Sequence, residues 1–95
     1  MTADEALASL IAVLEDIQRL LPSDKASWDG DLVIRLAVER LWITAGNSSD
    51  EYRRAAGIEA GLEPWAELAA YRNRLAHALP GDLLTDRIWI DTTTD

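Results

Sequence analysis

The chain has 95 residues, 17 acidic against nine basic side chains, one histidine and no cysteine, giving a net charge of −8 at pH 7. Its length fits one domain spanning residues 1–95, and its residue types exclude disulfides, thiolate chemistry and a structural zinc site built from Cys and His. Non-specific nucleic-acid binding is driven by counterion release from phosphates, so the acidic balance means that any RNA contact has to come from a local cluster.

Eight of the nine bases are arginines, which suit ion pairs and phosphate forks better than a diffuse cationic coat. The opening MTADEALASL carries acids where a secretory signal needs a basic segment, and no apolar run approaches transmembrane length. The expectation is a soluble, cytoplasmic protein with no membrane partner.

Thr2 with Glu5 three residues on forms a capping box. Leu7, Leu10, Leu14, Ile17 and Leu21 then recur every three or four residues, predicting an amphipathic helix that stops at Pro22. SDKASWDGD reads as a turn, with Asp31 as the next N-cap. From Leu32 to Ala45 apolar residues surround the helix: Leu32, Leu36 and Ile43 share one side, Ile34, Val38, Leu41 and Ala45 the other, with Trp42 between. A helix apolar on most sides is central to a bundle or lies between two protomers. Gly46-Asn47-Ser48-Ser49 then carries break signals, and Ser48 with Glu51 makes a second capping box. The alternative is one helix running to about Ala56 with a kink at Gly46.

AGIEAGLEP is a loop by its glycines, and Pro64 at a first helical position opens the next helix. In it Trp65, Leu68, Ala69, Leu75, Ala76 and Leu79 form one stripe with Arg72 in its middle, where a guanidinium needs a partner or a wet cleft. Ala66, Ala70, Asn73 and His77 form a second stripe, suited to a closely approaching helix or ligand. The tail RIWIDTTT has strand propensity, but Thr85-Asp86 is a fair helix start and a lone strand has no pairing partner, so a short helix is expected.

The chemistry-bearing segment is Arg72-Asn73-Arg74-Leu75-Ala76-His77. An imidazole moves protons near neutral pH, and a guanidinium grips phosphate oxygens. At 100° per residue Arg72 and His77 stand about 140° apart around the axis, so one copy of the helix does not aim both at one atom; two copies about a two-fold axis can.

The stretch RLAVERLWITAGNSSDEYRRA, followed by EPWAELAAYRNRLAHALPGDLLTDRIWIDTTTD, resembles a HEPN domain (higher eukaryotes and prokaryotes nucleotide-binding). More narrowly, it is similar to the HepT toxins encoded beside a minimal nucleotidyltransferase antitoxin. The motif is Arg, a polar residue, three more residues, then His, and Arg72, Asn73 and His77 match it. A Pro-Trp helix start, the PGD beyond the motif and an Ile-Trp near the end strengthen the match.

The resemblance implies an all-α fold, a four-to-five-helix up-and-down bundle forming a homodimer, and a long second helix, which favours continuity through Gly46. It implies the toxin of a type VII-like toxin–antitoxin system: a metal-independent endoribonuclease that needs no cofactor, acts on RNA and not DNA, and has the nucleotidyltransferase as antitoxin partner. Arg72, Asn73 and His77 would be the catalytic residues. The chain departs from the pattern at Leu79, where many such toxins carry a Tyr whose hydroxyl the partner adenylylates, and in ending at Asp95, where relatives usually continue. Tyr71 is a nearby hydroxyl. The alternative function is a non-catalytic module that binds a nucleotide or the nucleotidyltransferase.

Plainer roles stand beside these. A lone His near a helix C-terminus suits the dipole; Arg72 could pair with Glu39 in the interior; Asn73 could cap or cross-link helices, or orient the imidazole. Arg74 reads as a solvated residue, the tryptophans as core or interface, and Arg53 and Arg54 as surface ion-pair partners or extensions of an RNA groove.

Overall fold

A computed structural model of the chain describes residues 2–77 and 85–93, leaving the side chains of His77, Thr85, Asp86, Arg87 and Asp91 outside the description. The described residues form five helices and no strand: α1 (Ala3–Leu20), α2 (Lys25–Asp29), α3 (Leu32–Ala56), α4 (Trp65–His77) and α5 (Thr85–Thr93). The all-α expectation holds among them. No helix of the described residues is long and apolar enough to cross a membrane.

Local chemistry sets the ends of α1. The Glu5 amide donates to Thr2 Oγ1 at 3.1 Å, and the Thr2 hydroxyl donates to the Glu5 carboxylate at 3.1 Å. Asp4 and Glu5 in the first turn and Arg19 in the last complement the helix dipole. The helix stops one residue before Leu21, whose extended backbone is what a following proline requires.

The segment read as a turn contains α2. Asp24 caps it by accepting from the Ser27 amide at 2.7 Å, Lys25 and Asp29 pair across its one turn at 3.0 Å, and Trp28 is fully buried. Five residues carry too little periodicity to declare a helix; a cap and one buried indole hold the turn in place. Arg35 from α3 ties it down by donating to the carbonyls of Trp28 and Asp29.

Asp31 caps α3 as expected, accepting from the Ile34 amide at 3.0 Å. The helix then runs 25 residues without interruption through Gly46-Asn47-Ser48-Ser49 to Ala56. Gly57, at φ +73°, ends it in the left-handed conformation that glycine adopts without penalty. The amide of Ile58 returns to the Arg53 carbonyl at 2.9 Å. At the start of α4, the Glu63 carboxylate accepts from the Glu67 amide at 3.2 Å and the Pro64 carbonyl takes the Leu68 amide at 3.1 Å. The tail adopts the expected helix, α5.

Helix α3 is the spine. The end of α1 (Asp16, Leu20) lies by Ala37 and Leu41, and its beginning (Ser9) by Ser48 and Glu51, so the two run antiparallel. Trp65 meets Tyr52 at 5.3 Å between ring centroids and Tyr71 meets Trp42 at 5.7 Å, so α4 also runs antiparallel to α3. The core takes one buried side chain from each helix: Ile17, Trp28, Val38, Leu75 and Ile88. Trp28 against Trp89 at 5.6 Å, and the Trp42 indole N–H donating to Thr92 Oγ1 at 3.0 Å, dock α5. The opposite side of α3 is bare at its start, where Leu32, Val33 and Leu36 are 57%, 76% and 47% exposed.

Candidate functional site

Helices α3 and α4 come together at Gly46. A Cβ placed on residue 46 would lie 2.5 Å from Arg72 Cβ and 3.1 Å from its Cγ and Cδ. Only a residue without a side chain allows this approach. Neighbouring Ala45 and Ser49 are fully buried in the same stretch of helix, and the Ser49 hydroxyl has no hydrogen-bond partner among the described residues.

The contact brings the Arg72 guanidinium between two sets of acceptors. Its Nη1 donates to the Asp50 carboxylate in an ion pair and to Asn47 Oδ1 at 3.4 Å. Its Nε and Nη2 each reach Asn73 Oδ1 at 3.2 Å. Its remaining Nη2–H has no partner among the described residues. The Arg72 and Asp50 side chains are 19% and 13% exposed, so the pair sits where screening by solvent is weak but water still reaches. The ionic partner is therefore Asp50 and not Glu39. Burial alone pushes the Glu39 carboxyl above its ordinary value, and Glu39 has no ion pair among the described residues.

Beside the pair a cleft of about 390 Å³ opens. Thr44, Asn47, Asp50 and Arg54 line it from α3, Ser9 from α1 and Arg72 from α4. Its volume falls within the range of small-ligand pockets, roughly 300–1,000 Å³. Thr44 spends its hydroxyl proton on the Arg40 carbonyl at 3.1 Å.

Arg72 and Asn73, two of the three candidate residues, are thus in direct contact. The Asn73 carbonyl oxygen serves Arg72, which leaves only its amide nitrogen as a means of orienting an imidazole. His77, the third, closes α4 five residues after Arg72, and its side chain lies outside the described residues, as does Leu79. The Tyr71 hydroxyl is buried, which removes it as an accessible target for modification by a partner. Arg74 is exposed, as expected, and also lies 5.4 Å from the Tyr71 ring centroid in a cation–π contact. Trp28 is buried, and Trp42, Trp65 and Trp89 are half-buried against neighbouring rings.

Sequence reasoning missed Asp50, Asn47 and the contact role of Gly46. Their signal is the spacing of Gly46 and Asp50, one turn apart on one helix face. It is legible only once GNSS is taken as helix and not as a break.

Among the described residues no group of three or more His, Cys, Asp or Glu could hold a metal ion. The described residues define an all-α protein with an arginine-bearing cleft lined by α1, α3 and α4. No family model, curated protein or solved structure matches the chain.

Proposed function

We propose that the chain is a HepT-like HEPN toxin, a metal-independent endoribonuclease that works as a homodimer and is silenced by a minimal nucleotidyltransferase. The observation that carries the reading is the Arg72–Asn73 contact at the edge of a cleft, with one guanidinium N–H that has no partner among the described residues and could take a phosphate oxygen. His77 would remove the 2′-hydroxyl proton of RNA, and the second copy's imidazole would protonate the leaving 5′-oxygen, since one imidazole cannot hold both protonation states at once. The attacking 2′-oxygen forms a bond to phosphorus as the P–O5′ bond breaks. Arg72 stabilises charge on the non-bridging oxygens, and the product is a 2′,3′-cyclic phosphate.

The dimer requirement follows from the 140° between Arg72 and His77. Its support is the direction of α4. The helix runs from Tyr52 past Trp42 towards the start of α3, where Leu32, Val33 and Leu36 are exposed. A second copy seated there would lie beside the His77 end of α4. Silencing by the antitoxin would act through binding or through a group other than the buried Tyr71 hydroxyl.

A second reading has its own observation. Arg72 is mostly consumed by Asp50, Asn47 and Asn73, as a structural cross-link would be, which suits a non-catalytic module binding a nucleotide or the nucleotidyltransferase. Expression of the wild type and of H77A in a bacterial host separates the two. The nuclease reading expects growth arrest with RNA breakdown from the wild type and neither from H77A, at equal protein levels. Equal arrest from H77A with intact RNA in both would leave only the binding module.

A further inference from the structure

Arg53 and Arg54 are adjacent and chemically identical, yet the fold uses them differently. Arg53 is spent on the α3 terminus: its Nη1 donates to the Ile58 carbonyl at 3.0 Å, while its own carbonyl takes the Ile58 amide at 2.9 Å. Arg54 stands about 100° further round the helix and is exposed. It lines the same cleft as Arg72 and has no ion pair among the described residues. Two carboxylates share its face, Asp50 and Glu51; Asp50 is already occupied by Arg72.

We propose that Arg54 binds the phosphate next to the scissile one, so that the cleft holds two successive phosphates of a single RNA strand. This rests on the ribonuclease reading above and names a second substrate contact for it. Arg54 stands four residues, about 6 Å of helical rise, beyond Asp50, which anchors Arg72. That separation is of the same order as the step between neighbouring phosphates in a single strand. Asn47 and Ser48, which precede Asp50 on α3, also line the cleft, and the interval from Asp50 to Arg54 carries Glu51.

Asp50 and Glu51 balance the two arginines, so the cleft offers directed N–H forks in place of net positive potential. Glu51, which also lines the cleft, opposes the incoming phosphate. Binding is therefore weak, salt-sensitive and improved by removing that one charge.

The experiment uses the full chain carrying H77A to prevent cleavage, with a fluorescently labelled single-stranded RNA of about ten nucleotides, followed by anisotropy over a salt series. Adding R54A lowers affinity about fivefold to tenfold and reduces the log–log salt slope by about 0.7, the value for one lost phosphate contact to a single strand. Adding E51Q raises affinity, and adding R53A leaves the slope unchanged. If the H77A chain binds RNA and R54A binds it equally well with the same slope, the Arg54 assignment is wrong and the ribonuclease reading stands. If the wild type neither binds nor cuts RNA, both are wrong.

Discussion

Replacing Gly46 by Ala tests the seam on which the cleft depends. Away from tertiary contacts this change stabilises a helix by about 0.8–1 kcal/mol, because it removes backbone freedom from the unfolded chain. Here the new methyl would sit 2.5 Å from Arg72 Cβ, against ordinary carbon–carbon contacts of about 3.5–4.0 Å. Cβ does not rotate away, so α4 has to retreat by about 1 Å, which loosens the Arg72–Asp50 pair as well. Overpacking of this kind costs about 1–3 kcal/mol, and the rigidity of the clash places it at the upper end. The net expectation is a loss of about 1–2 kcal/mol. In urea titration followed by circular dichroism, that lowers the midpoint by about 1 M. Adding Arg72→Ala gives no rescue, since alanine keeps the offending Cβ. A Gly46→Ala protein more stable than the wild type would show that helix propensity alone governs this position and that α3 and α4 do not meet as described.

Three further expectations concern stability. Asp50→Ala strands a guanidinium that is 19% exposed, at a cost of about 1–3 kcal/mol between the limits for surface and buried pairs. The double variant Asp50→Ala/Arg72→Ala costs less than the sum of the single variants, and strict additivity in denaturation would mean that the two groups are uncoupled. Trp28→Ala empties a fully buried site touching α5 and costs about 3–5 kcal/mol; a loss under 1 kcal/mol would place the indole at the surface. Glu39 is raised by burial, so its protonated form favours the native state. That contribution is fully present below the ordinary value of 4.5 and is lost as pH rises through the higher folded value. Glu39→Gln should therefore exceed the wild type in stability by more at pH 7 than at pH 4, and a constant difference would contradict the assignment.

The helix ends were legible because their causes are local. Thr2, Asp31 and the residues around Pro22 and Pro64 act on backbone groups within a few positions of themselves. The core was legible where periodicity was long, as in α1. It was not legible in α2, where a cap and Trp28 replace periodicity, nor at GNSS, where tertiary contact overrides the local break signals. Gly46 reads as a helix breaker in sequence because its benefit comes from α4, which approaches it from 26 positions away at Arg72. The same holds for the site. The hexapeptide at Arg72–His77 announces arginine and histidine chemistry, but the partner of Arg72 comes from Asp50, a residue whose sequence neighbours suggest only a turn or a cap. Arg53 and Arg54 are indistinguishable in one dimension. The left-handed Gly57 terminus separates them by occupying one and leaving the other to the cleft.

The most direct test is the chemistry of the RNA ends. Purified wild-type chain, R72K, which keeps a cation for Asp50 but loses the planar fork, and H77A are each incubated with a defined RNA in the presence of EDTA. The wild type should release fragments ending in 2′,3′-cyclic phosphate and 5′-hydroxyl, R72K far fewer and H77A none. Fragments with 3′-hydroxyl and 5′-phosphate ends, activity abolished by the chelator, or equal cleavage by H77A would contradict the account.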